Sequence, residues 1–236
     1  MSQNVALVTG ASSGIGLEVC RRLRSLGYRI IGIARHFDAE SKRICDHAIE
    51  QDLSDIEQLP EFFASLAKQY PSTSLLVANA GRGLFGSVEE LSARDIADLV
   101  NLNLTSQILL ARAFVPLFKS NRRGDLIFLG SEATHQAGRK GTAYCASKFG
   151  LRGFAQALRQ EVANRGIRVC LINPGLVDTP FYDLLNFRPG QQEGQFLTAE
   201  DVADTVEWVL KSSSGMVLDE INLTARNHVI EFKKGK

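Results

Sequence analysis

The chain reads as an α/β protein built on a doubly wound parallel sheet with helices on both faces. Three observations predict this. Short apolar, β-branched runs alternate with helical stretches to the end of the sequence, the order expected when crossover helices bury a parallel sheet on both sides. The first apolar run opens directly into a glycine-rich loop, as a βαβ unit does. The 236 residues, 44% of them hydrophobic, suffice for one large core, so a single domain over 1–236 is expected.

Residues 4–10, N-V-A-L-V-T-G, form the first strand, with a glycine stop. The loop T-G-A-S-S-G-I-G then supplies Gly10, Gly14 and Gly16. A helix over 15–26 places Leu17, Cys20, Leu23 and Leu26 near one face, and Gly27 ends it. The second strand covers 29–34. Further strands are expected at 74–79, 125–130 and 167–172, with helical stretches near 92–119 and 143–164. In the latter, Leu151, Phe154, Ala155, Leu158 and Val162 make a stripe that suits either core or a subunit interface. A last strand near 216–223 should close the sheet edge. The least regular segment is 180–197. It reads either as an exposed loop or as a lid over substrate, with Phe181, Tyr182, Leu184, Leu185 and Phe187 as its apolar inner face.

Composition narrows the function. A net charge of +1 gives no broad basic surface, so nucleic-acid binding is not expected. Cysteines at 20, 45, 145 and 170 show no metal spacing; Cys20, Cys145 and Cys170 read as reduced core residues. The four histidines are scattered, so no metal site is expected. The first strand leaves no room for a signal peptide, and no run approaches the ~20 apolar residues of a membrane span. A cytoplasmic protein is expected.

Two constellations carry chemistry. In the strand–loop–helix, a pyrophosphate would lie against free N–H groups at the helix start. The glycines allow close approach there, and Ser12 and Ser13 add hydroxyl donors. The spacing G-x-x-x-G-x-G departs from the general G-x-G-x-x-G fingerprint, and such loops are also plain turns. The second strand ends in Ala34 and Arg35. No carboxylate stands there to repel a 2′-phosphate, and a guanidinium can clamp one, with His36 as a further donor. Stacking of Arg35 on adenine, or its solvation, is the alternative. NADPH is the expected cofactor.

The second constellation is Tyr144 and Lys148, four residues apart in Y-C-A-S-K, with Ser131 thirteen residues upstream. On a helix such a pair shares one face. The ammonium should hold the phenol below the roughly 10 of an ordinary tyrosine, readying it to exchange a proton near neutral pH. Ser131 could hydrogen-bond the same substrate oxygen. Alone, Y-x-x-x-K also describes a solvated helix face; beside a dinucleotide loop it suits carbonyl reduction.

With these residues the sequence resembles the short-chain dehydrogenase/reductase family over most of its length. T-G-A-S-S-G-I-G at 9–16, including Ile15, matches the family's cofactor loop. Asp52, with Leu53 beside it, resembles the position that holds the adenine amino group. Asn79, Ala80 and Gly81 match the motif beside the cofactor, and Asn103 the asparagine that holds a relay water. Ser131, Tyr144 and Lys148 match the catalytic serine, tyrosine and lysine. Pro174, Gly175, Val177 and Thr179 resemble the segment that fixes the nicotinamide carboxamide. The resemblance implies a Rossmann fold with a seven-stranded parallel sheet, and a homodimer or homotetramer formed through helices 92–119 and 143–164. Two departures stand out: A-N-A-G replaces the frequent N-N-A-G, and only 16 residues separate Arg35 from Asp52, so the intervening helix must be short.

The expected activity is NADPH-dependent hydride transfer to or from a small carbonyl or alcohol. Its rivals are an NAD-dependent alcohol dehydrogenase, a dinucleotide-binding regulator or redox sensor without turnover, and a cofactor-recycling dehydratase or epimerase. Pocket walls should come from 82–85, 132–136 and 180–197. Arg82 or Arg139 could pair with an acidic substrate or be a surface charge. The apolar lid suggests small ketones, aldehydes or 3-oxo/3-hydroxy acids.

Overall fold

The computed structural model describes residues 4–233. Seven strands form one sheet: β1 (Val5–Thr9), β2 (Arg29–Ala34), β3 (His47–Glu50), β4 (Thr73–Ala78), β5 (Gly124–Leu129), β6 (Ile167–Pro174) and β8 (Glu220–Leu223). Their order is β3-β2-β1-β4-β5-β6-β8, and every pairing is parallel. Strand β1 is buried throughout, as a central parallel strand covered on both faces must be. The expected seven-stranded Rossmann architecture is present, and the closing strand is shorter than the stretch 216–223 assigned from sequence.

Helices α1 (Gly14–Ser25), α2 (Ala39–Ile44) and α7 (Ala199–Lys211) cover one face. There Val19, Cys20 and Leu23 meet Val202, Ala203, Val206 and Val209. On the other face lie α3 (Leu59–Gln69), α5 (Ser106–Asn121) and α6 (Thr142–Val162). The rings of Phe63, Phe114, Phe118 and Phe128 are fully buried in that layer; truncating any one to alanine would cost about 3–5 kcal/mol. The α6 stripe left open by the sequence resolves as core: Leu151, Ala155, Leu158 and Val162 are buried, with Phe154 packed against them. Helix α2 has only six residues, as the short spacing required. All four cysteines are free and buried.

Helix α4 (Ala93–Val100) runs into α5 through a π-helical turn at Asn101–Thr105, and such turns often occur at functional sites. The chain winds outward in opposite directions from β1 and β4, so the crevice beyond their C-terminal ends is the topological switch point where ligands bind in this class of sheet.

The largest surprise is at 180–197. The segment is mostly turns and bends, but a one-turn helix (Pro180–Tyr182) leads to β7 (Phe187–Pro189), which pairs antiparallel with β9 (Ile230–Phe232). The C-terminal segment is laced along it. Asn227 N–H donates to Gly194 O (2.8 Å), Gly190 N–H to Val229 O (2.9 Å) and Lys233 N–H to Asn186 O (2.8 Å). No helix among the described residues is long and apolar enough to cross a membrane.

Candidate active site

A cleft of about 360 Å³ opens at the switch point and runs from the glycine loop to Tyr144. At the loop end, a Cβ on Gly16 would lie 2.0 Å from the Gly10 carbonyl oxygen, so only glycine permits this close packing of helix on strand. Gly10 takes φ +67°, a conformation side chains disfavour. Ser13 caps α1 without a side-chain hydrogen bond, and no acid stands in the first turn. The unpaired N–H groups of that turn therefore meet the cleft in a field that suits an anion. Ser12, Ser13, Gly14 and Ile15 line it directly.

Strands β1 and β4 are stitched together at the crevice. Thr9 Oγ1 accepts from the N–H groups of both Asn79 and Ala80 (3.0 Å each), and Asn79 Nδ2 donates to Thr9 O (3.0 Å) and Gly10 O (3.3 Å). Thr9 was not singled out from the sequence, although a threonine ending a strand before a glycine loop is a readable signal. Arg35 and His36 are exposed at the end of β2 and border the cleft, as do Leu53, Ala80 and Gly81. Arg35 thus places a cation at this end of the cleft, and no acid is among the lining residues. These features suit a dinucleotide.

Asp52 does not line the cleft. Its Oδ1 accepts from Ser54 N–H (2.9 Å) and Ser54 Oγ (2.7 Å). Partial burial acts to raise its pKa, but the Ser54 bonds and the charges of Arg35 and Arg82 leave the carboxyl below its ordinary value. Gly16 also stands behind the lining, packed on Gly10.

At the far end, Ser131, Tyr144 and Lys148 converge with Pro174, Gly175, Val177 and Thr179 around one cavity. Ser131 sits where β5 gives way to a short helix, its Oγ accepting from Ala133 N–H (3.2 Å). Helix α6 carries Tyr144 and Lys148 one turn apart, both buried. Asn103 is wholly buried in the π-turn and outside the cleft lining. Its Oδ1 accepts from Arg82 N–H (2.9 Å), while Nδ2 donates to Arg82 O (3.0 Å) and Ser147 Oγ (3.3 Å). Ser147 in turn donates to Tyr144 O (2.7 Å), so Asn103 braces the tyrosine's own helix. Ser147 and Gln107, which donates to Ala80 O (3.1 Å), carried no sequence signal beyond polarity.

A short chain dehydrogenase family model matches residues 4–187. The chain belongs to the short-chain dehydrogenase family. The NADP-dependent 3-hydroxy acid dehydrogenase of Schizosaccharomyces pombe is 30% identical, over 90% of this chain and 88% of that protein. Among solved structures, an alcohol dehydrogenase from the archaeon Thermococcus sibiricus, complexed with 5-hydroxy-NADP, superposes with a TM-score of 0.83. It is 25% identical, over 95% of this chain and 97% of the other. A metagenomic short-chain oxidoreductase in complex with NADP gives 0.76 at 29% identity, over 94% and 96%. The chain is therefore an oxidoreductase by family.

Within this family member one expectation is overturned. Burial pushes the Tyr144 phenol up to about 12, against a lowering hydrogen bond shared with Ser131, so it does not titrate below an ordinary tyrosine. The reason is geometric. Lys148 Nζ lies 6.0 Å from the ring centroid and donates to Leu129 O (2.8 Å), so dehydration of the phenol outweighs the ammonium. Burial also pulls Lys148 itself down to about 8.

One assignment within 180–197 also needs correction. Leu184 is 99% exposed and does not belong to an apolar inner face. Arg82 borders the cleft, and its Nη2 is tethered to helix α4 by donation to Asp95 O (3.2 Å).

Proposed function

We propose that the chain is an NADPH-dependent oxidoreductase that interconverts a small carbonyl compound and its alcohol. The observation that carries this reading is the convergence of Ser131, Tyr144 and Lys148 at one end of a cleft whose other end is a glycine loop bordered by Arg35. The NADP-linked relatives and neighbours support the cofactor choice.

In this reading α1's first-turn N–H groups, Ser12 and Ser13 hold the pyrophosphate, and Arg35 with His36 holds the 2′-phosphate. Asn79, Ala80 and Gly81 flank the cofactor. Leu53 lies against the adenine, and Asp52 reaches its amino group after turning from Ser54. Pro174, Gly175, Val177 and Thr179 seat the carboxamide end. NADPH, when bound, supplies the hydride. Ser131 donates to the substrate oxygen and stabilises the charge that develops there. Tyr144, kept protonated by burial, is the general acid in reduction. Lys148 stabilises the phenolate left behind. Asn103, braced under Tyr144, links that proton to solvent through water. Residues 1–236 act as one domain with 180–197 as the substrate lid, in a homodimer or homotetramer.

The test is the absorbance of reduced nicotinamide on mixing the protein with NADPH, then NADH, and a panel of small carbonyl compounds. Consumption favouring NADPH is expected. Preference for NADH would reject the cofactor assignment, and binding without consumption across a wide panel would count against turnover.

A further inference from the structure

The inference rests on the reductase reading and concerns what that site accepts. Five rings meet beside Ser131. Phe85 packs on Tyr144 with centroids 5.2 Å apart and stands edge-on to Phe187 at 5.0 Å. Phe181 lies 6.2 Å from Tyr144, Tyr182 lies 5.1 Å from Phe181, and Tyr182 meets Phe187 at 5.8 Å. Phe181 and Tyr182 face the cleft, and Phe85 and Phe187 back them. Two glycines make room for the cluster. A Cβ on Gly83 would lie 2.9 Å from the Phe85 ring and 3.0 Å from Phe181, and one on Gly141 would lie 3.3 Å from Phe85.

The charges around this wall are the second observation. The ionisable acid whose field reaches both Tyr144 and Tyr182 is Glu132, a carboxylate. Cations on neighbouring segments are engaged by the protein itself, including Arg82, which borders the cleft. Arg82 bonds Asp95, Arg188 pairs with Glu231 (3.2 Å), and Lys233 Nζ donates to Tyr182 O (2.6 Å) and Asp183 O (3.1 Å). Arg139 is exposed on the adjoining loop.

We propose that the substrate is an uncharged carbonyl compound with an aromatic or similarly flat apolar group next to the carbonyl, seated against Phe181 and Tyr182, and that 3-oxo and 3-hydroxy acids are rejected. A flat group meets ring faces and edges in the geometries aromatic pairs favour. A carboxylate set against the rings of Phe181 and Tyr182 would lose water to apolar ring surface that offers it no partner.

The experiment is a ligand-observed NMR titration of the full chain, saturated with NADP⁺, using acetophenone and acetoacetate as probes. Acetophenone is expected to bind about ten-fold more tightly or better, a gap of about 1.4 kcal/mol. Phe181→Leu should remove most of that preference, Phe181→Tyr should keep it, and Arg139→Ala should leave it unchanged. Unaltered NADP⁺ affinity in Phe181→Leu shows that the variant is folded. Failure of acetophenone to bind, acetoacetate binding as tightly, or a preference indifferent to Phe181→Leu would each overturn the proposal. NADPH consumption is recorded separately. Selective binding of acetophenone without turnover would sink the reductase reading and keep only the binding preference of the aromatic wall, whereas rapid reduction of acetoacetate would keep the reductase reading and overturn the preference.

Discussion

The two ends of the cleft are built in opposite ways. The glycine-loop end is framed by one continuous stretch, β1 through β2, in which the close approach of Gly16 to Gly10 spans six residues, with Leu53 and Asn79 to Gly81 closing it from later strands. The opposite end is assembled from segments far apart in sequence: Phe85 after β4, the turn at Pro180–Tyr182, β7, and the C-terminal β9. Local construction makes the first end rigid and recognisable. The second depends on long-range pairing, which lets substrate choice vary while cofactor binding stays constant.

The sharpest way to break the comparison is at the junction of the two ends. Tyr144→Phe should lower turnover by about 10²-fold or more, as loss of a general acid does, while NADPH titration gives an unchanged Kd. Full activity would remove Tyr144 from the chemistry.

Arg35→Ala should damage the cofactor end alone. Loss of a charge-assisted contact costs about 1.5–3 kcal/mol, so NADPH affinity should fall by roughly one to two decades. NADH affinity should hold, and an equal loss for both cofactors would show that Arg35 does not discriminate between them.

A pH profile separates the two buried groups between the ends. Lys148 is charged below about 8 and Tyr144 is protonated up to about 12. For carbonyl reduction, kcat/KM should therefore fall as pH rises through about 8, when Lys148 can no longer steady a phenolate. The stability sign is opposite. The folded pKa of Lys148 is depressed, so below about 8 both states hold the proton and the full cost of burying the ammonium is present; it fades as pH rises towards the lysine's ordinary value. Lys148→Met should thus lose activity yet raise Tm at neutral pH. A lower Tm would mean that its bond to Leu129 O matters more than its dehydration.

The smallest effect is expected from truncation after Thr224, which removes β9 and its bonds to the segment 186–194. It should raise KM for the carbonyl substrate several-fold, speed hydrogen exchange across 182–197, and leave NADPH affinity alone. Equal loss at both ends would mean that the tail supports the whole fold.

Legibility followed the same division. The strand at 29–34, the α1 helix and the cofactor loop were readable because hydrophobic period and glycine placement act over a few residues. Ser131, Tyr144 and Lys148 were readable as types and spacing, but the direction of the Tyr144 shift was not. Spacing along a helix places an ammonium near a phenol without saying how dry the phenol is. Leu184 misled for a related reason, since an apolar residue in a loop has no periodicity to say which way it faces.

By itself the sequence determined the parallel α/β class, the glycine loop at the start of α1, the absence of an acid after β2, and the one-turn spacing of Tyr144 and Lys148. All rest on local backbone geometry and residue chemistry. Only the tertiary structure decided that Tyr144 is held at about 12, that Asn103 braces α6 through Ser147, and that a short strand within 180–197 is bound by the C-terminal segment. Burial and strand pairing are properties of segments brought together from a distance, and no local window of sequence contains them.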